Sequence, residues 1–119
     1  MPRFVILEHD YQGVHWDFML ESAGVLRTWR LLDVPCGDRP VFATPLPDHR
    51  TIYLEYEGPV SGGRGAVKRW DWGEFDWAGD RPGSVEVTIR GQRLCGCVYL
   101  FKGASDEWTF RLTPLASSP

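Results

Sequence analysis

Three histidines occur in this 119-residue chain, and each stands near a side chain that could share chemistry with it. Two lie in Glu8-His9-Asp10-Tyr11-Gln12-Gly13-Val14-His15-Trp16-Asp17-Phe18. Side chains two apart on an extended strand share a face, so His15 and Asp17 stand together, opposite Trp16 and Phe18. His9 ends the preceding run, and a turn at Tyr11-Gln12-Gly13 folds it back beside His15. Two imidazoles and a carboxylate form a donor set suited to Mn²⁺, Fe²⁺ or Zn²⁺, with positions left for water and substrate. The bland alternative is a hairpin whose polar face meets solvent, and the spacing H-x5-H-x-D does not by itself choose between them. His49 opens the alternating segment 50–57, where it shares a face with Thr51 and Tyr53. A His with a Tyr four residues along suits a phosphate ligand or a general acid–base pair, against the alternative of a loop histidine satisfied by water.

Other candidates carry less. Ser61-Gly62-Gly63-Arg64-Gly65 offers backbone N–H groups to a phosphate, but no helix follows and no Lys-Ser/Thr completes a P-loop, so a hairpin loop is the simpler reading. Lys68-Arg69-Trp70, with Trp72 and Trp77, mixes bases and aromatics as single-strand binders do, while alternation commits at least two of these tryptophans to the core. Cys36, Cys95 and Cys97 are odd in number and match no disulfide framework or zinc knuckle, which fits a reducing, cytoplasmic setting.

The elements that must position these residues are short strands. Thirteen Gly and nine Pro cut the chain into pieces, and no 3.6-residue apolar period lasts three turns. Strands are expected over 3–8, 14–21, 25–32, 50–57, 66–70, 74–77, 84–90, 93–101 and 107–112, with turns at Ser22-Ala23-Gly24, Asp80-Arg81-Pro82-Gly83 and Gly91-Gln92. The stretch from Asp33 to Pro47 is expected to wrap the surface without periodicity. The sum is an all-β domain over 1–113, a small closed antiparallel barrel of about eight strands with little or no helix, and a frayed tail over 114–119. At 43% hydrophobic and 24% charged the composition is that of a folded domain. No apolar run is long enough for a membrane helix, and Met1-Pro2-Arg3 leads into a strand, not a signal peptide. The formal net charge of −3 excludes general nucleic-acid coating, so any such contact is local.

FVILEHD, HWDF-x-LE and GVLRTW resemble the opening of the 3′-phosphoesterase domain of bacterial DNA ligase D and its stand-alone relatives. The resemblance runs on through Pro47-Asp48-His49, Tyr53, Tyr56-Glu57-Gly58, Trp70-Asp71 with Gly73, GQRLCGCVYLFK and Glu107-Trp108-Thr109-Phe110. It implies a β-barrel that binds Mn²⁺, or Zn²⁺ or another divalent transition metal, and trims nucleic-acid 3′ ends bearing a 3′-phosphate or a 3′-ribonucleotide. Partners implied are a nucleic-acid 3′ end and, separately, ligase or polymerase proteins of a repair pathway, with no membrane. By position it makes His9, His15 and Asp17 the metal ligands and His49 and Tyr53 the catalytic pair.

The departures fall in the same place. Where the family carries an arginine after H-x-D-F, this chain has Met19, on the face of His15 and Asp17. Leu7 replaces a glutamine, and Pro47 replaces an acidic residue. A guanidinium on the phosphate is then expected from Arg39 first, with Arg50 or Arg64 behind it. The rival expectation is an impaired barrel that binds metal and recognises an end or repair partner without cleaving it.

Overall fold

The computed structural model describes residues 1–37 and 39–115. Alternation of apolar and polar side chains produces nine strands: β1 (Arg3–Asp10), β2 (Val14–Ser22), β3 (Val25–Leu31), β4 (Val41–His49), β5 (Gly58–Pro59), β6 (Ala66–Arg81), β7 (Ser84–Gly91), β8 (Cys95–Lys102) and β9 (Trp108–Pro114). Hydrogen bonding runs in the order β1-β2-β3-β4-β9-β8-β7-β6, and β6 pairs back onto β1. Eight antiparallel strands therefore close a ring, with the two-residue β5 added on β6. Closure removes the long free edges that would otherwise template aggregation. Among the described residues no helix is long and apolar enough to cross a membrane.

The ring has two apolar clusters, one on each side of its wall. Phe4, Ile6, Phe18, Leu20, Phe75, Ile89, Leu100 and Phe110 point inward and fill the interior. On the outside, Val5, Leu7, Met19, Leu26, Leu54 and Val67 form a second, smaller cluster. Both sides of β1 and β2 are thus covered, and this reads in the sequence as a nearly unbroken apolar run in β1.

Four expectations are corrected. The segment 33–47 does not simply wrap the surface: Val41 to His49 form β4. Pro45 and Pro47 are tolerated there because β4 pairs with β9 only from Val41 to Ala43, so the rest of that edge asks for no N–H donor. Residues 50–57 are not a strand. Thr51–Leu54 make a single 3-10 turn, closed by the Tyr53 N–H on the Arg50 carbonyl at 3.1 Å. Burial of Leu54, only 4% exposed, in the outer cluster outweighs the local alternation. Residues 66–70 and 74–77 belong to one 16-residue strand, irregular where its register to β1 shifts between Ile6 and Leu7. β9 continues through Pro114, into the segment expected as tail, and residues 116–119 lie outside the described residues.

Asp71 of β6 is fully buried, and its carboxylate accepts the backbone N–H groups of Trp72, Gln92, Arg93 and Leu94 at 2.9, 2.6, 3.0 and 2.9 Å. It closes the β7–β8 turn from inside. Gly91 must pass against it, because a Cβ there would collide with the carboxylate. Asp71→Ala strands these donors and should lower the free energy of unfolding by about 3 kcal/mol or more, read from urea denaturation.

Candidate active site

Register decides which side chains meet. In the β1–β2 pair His9 lies opposite His15, Leu7 opposite Asp17 and Val5 opposite Met19, all on the outer side of the wall. The tight turn at Ala23-Gly24 then sets Asp17 opposite Arg30 on β3. β4 delivers His49 at its last residue, opposite Leu26, and the 3-10 turn swings the Tyr53 ring edge-on to it with centroids 5.8 Å apart. From the other flank, the chain before β6 folds over His9. Gly65, at φ +72°, permits this, since a Cβ would collide with the Asp10 carbonyl. The Arg64 carbonyl then accepts a hydrogen bond from His9 Nε2 at 2.8 Å.

These elements enclose a cavity of about 210 Å³. Leu7, Met19, Val60 and Val67 give it an apolar side; His9, Asp17, Arg30, His49, Tyr53 and Arg64 give it a polar one, with Tyr11 between. The Asp17 side chain, 5% exposed, has Oδ1 3.4 Å from Arg30 Nε and Oδ2 3.7 Å from His9 Nδ1. Because a carbonyl can only accept, the His9 proton sits on Nε2, and in the neutral ring Nδ1 turns a lone pair towards the carboxylate. Such a facing pair of acceptors calls for a proton or a cation. The His15 ring stands edge-on to His9 at 5.0 Å, with its Nε2 buried and lacking a hydrogen-bond partner. Burial first, then the Arg30 guanidinium, and more weakly His9, hold the His15 imidazole below the ordinary histidine range, against the opposing pull of Asp17. A neutral imidazole is the form a metal requires. Among the described residues, no three His, Cys, Asp or Glu side chains stand close enough to enclose an ion as they are placed. The donor types and the unpartnered His15 Nε2 are what fit one.

His49 is oriented by the main chain. Its Nδ1–H donates to the Pro47 carbonyl at 2.8 Å, so Nε2 is the nitrogen left for chemistry. The Pro47 carbonyl thus sets the tautomer of the ring.

Of the residues expected from sequence, His9, Asp17, His49 and Tyr53 border this one cavity, and His15 stands beside His9 without lining it. Arg39 and Arg50 stand elsewhere. Arg39 is exposed and pairs with Asp33 at 3.4 Å, and Arg50 borders separate recesses. The guanidiniums in the cavity are those of Arg64 and of Arg30, which sequence reasoning missed. Hairpin arithmetic would have found Arg30: a two-residue turn at 23–24 pairs Ser22 with Val25 and so Asp17 with Arg30. The tryptophans form no common stacking surface. Trp70 packs on the inner cluster, Trp72 on the outer one, and Trp77 is 37% exposed beside Arg27.

The model of the DNA ligase D 3′-phosphoesterase domain matches residues 7–102, which hold every residue of the cavity. The chain belongs to this family. It is similar to the multifunctional non-homologous end joining protein LigD of Pseudomonas aeruginosa, with 29% identity over 120 residues, and to those of Mycobacterium tuberculosis, at 34% over 114, and Mycolicibacterium smegmatis, at 28% over 124. These alignments take in 88–89% of this chain but only 14–16% of the relatives.

Within this 3′-phosphoesterase domain, Met19 is both a cavity wall and a core residue, 1% exposed. Arginine at this place displaces apolar contacts but has the cavity to enter. Met19→Arg should fold and lose about 1–3 kcal/mol in urea unfolding.

Proposed function

We propose that this chain is a metal-dependent phosphoesterase that processes 3′ ends of nucleic acid, removing a 3′-phosphate or a 3′-ribonucleotide in DNA repair. The observation that carries the reading is the meeting of His9, Asp17, His49 and Tyr53 with two arginines around one cavity in a member of the 3′-phosphoesterase family. The end-joining names of its relatives support work at DNA ends; the partners in this reading are a nucleic-acid 3′ end and separate ligase or polymerase proteins.

His9, His15 and Asp17 would hold the ion, Mn²⁺ in this reading and Zn²⁺ or another divalent transition metal otherwise. Such an ion, when bound, supplies Lewis-acid stabilisation of charge on a phosphate oxygen. The lone pair of His9 Nδ1, the buried carboxylate of Asp17 and the unpartnered Nε2 of His15 support this assignment. His49 acts through Nε2. On a 3′-phosphate, His49 protonated there donates to the departing 3′-oxygen as the P–O bond breaks, while a water oxygen bonds to phosphorus, its proton passes to solvent and inorganic phosphate leaves. Tyr53 packs against the ring and limits its rotation. The second reading, an end-binding barrel without turnover, is favoured by the apolar, buried Met19 on the cavity wall.

Incubation with Mn²⁺ and a primer ending in a 3′-phosphate or a 3′-ribonucleotide separates the two. Cleavage is the expected result; tight end binding without product would establish the second reading. His49→Ala should reduce cleavage about a hundredfold or more, with the Mn²⁺-induced rise in melting temperature intact. His15→Ala, which removes one of three donors, should shrink that rise. An unchanged Mn²⁺ response in His15→Ala would remove His15 from the metal site.

A further inference from the structure

The cavity carries a charge pattern that the steps above leave unused. Among the described residues that line it, Asp17 is the one carboxylate, and Arg30 and Arg64 are the guanidiniums. One negative charge against two positive ones makes the lining cationic, in a chain whose formal net charge is −3. An anion is drawn to this place and not to the surface at large.

Each guanidinium is anchored through part of its donor set. Arg30 turns its Nε to Asp17 at 3.4 Å, and its Cα is held opposite Asp17 by the β2–β3 register. Arg64 donates Nε to the Ser61 carbonyl at 2.8 Å and one terminal nitrogen to the Ser61 hydroxyl at 3.3 Å. Among the described residues nothing pairs with both terminal nitrogens of Arg30 or with the remaining one of Arg64. The sheet order sets the two residues on different flanks, Arg30 on β3 and Arg64 just ahead of β6, with β2 and β1 between them. Anchoring through Nε pre-organises the terminal nitrogens, and planar N–H donors match the oxygens of a phosphate.

We propose that Arg30 and Arg64 clamp a terminal phosphate monoester, so that this chain selects a 3′-phosphate over a phosphodiester next to the end. The proposal rests on the end-processing reading and names its substrate class. A phosphate monoester is nearly dianionic at neutral pH, whereas a diester carries a single charge. A monoester also offers three terminal oxygens to the free nitrogens of both guanidiniums, whereas a diester offers two. Met19 adds no third cation to blur that match.

The test is equilibrium binding by fluorescence anisotropy, with Mn²⁺ present and in a His49→Ala background that slows turnover well below the time of the measurement. The probes are duplexes ending in a 3′-phosphate, a 3′-ribonucleotide or a 3′-hydroxyl. The background protein should prefer the 3′-phosphate to both other ends about tenfold or more, and Arg30→Ala or Arg64→Ala should each remove most of that preference. Arg30→Lys keeps a cation beside the buried Asp17, which guards the fold, and should also lose most of it because an ammonium cannot fork. A preference that survives Arg30→Lys and Arg64→Ala overturns the clamp alone. Equal losses on the 3′-phosphate and 3′-ribonucleotide ends overturn the selection for a monoester. No preference for either modified end over the 3′-hydroxyl in the background protein overturns the end-processing reading, and the clamp with it.

Discussion

The pairing of β6 back onto β1 is the constraint on which the rest of this molecule depends. It gives β1 a hydrogen-bonded neighbour on both sides and so fixes the strand's two faces at once. Phe4 and Ile6 are committed to the interior; Val5, Leu7 and His9 are committed to the outside. A slip of one residue would exchange the two sets and bury His9 in the barrel. The same pairing brings the loop that carries Arg64 over His9, because Gly65 and Ala66 lie against Asp10.

The site is built on the outer wall, not in the barrel's interior, and that is why it needs its own apolar cluster. Leu54 from the 3-10 turn and Val67 from β6 join Val5, Leu7 and Met19. Together they seat the turn that holds Tyr53 against His49. Polar groups then sit where burial is partial: deep enough to lower the His15 proton affinity, open enough to leave a cavity. Asp17 links the halves of the arrangement, with His9 on one side and Arg30 on the other.

Much of this was legible in the residues. Alternation in 14–21 assigned Met19, Asp17 and His15 to one side of β2 and Phe18 and Leu20 to the other, as found. The closed antiparallel ring followed from many short strands without helical periodicity. What misled was always a contact distant in sequence. Prolines 45 and 47 masked β4, since only knowledge of how little of it pairs with β9 makes them harmless. The alternating pattern at 50–57 gave way to the burial of Leu54, although His49 and Tyr53 still met by another route. Arg39 and Arg50 were the guanidiniums expected at the phosphate, while Arg30 reaches the cavity through register across strands.

The brief seam between β4 and β9 has a dynamic consequence. Backbone pairing there is limited to Val41 with Phe110, Phe42 with Thr109 and Ala43 with Trp108, whereas β8 and β9 are paired from Gly96–Pro114 through Lys102–Trp108. Local opening follows the least-protected contacts, so this three-pair seam is where opening of the ring is expected to begin. β4 ends in His49. The group proposed for proton transfer thus rides on the strand least paired to its β9 neighbour, while the groups proposed for the ion ride on β1 and β2, which are paired to each other from Phe4–Leu20 to Asp10–Val14.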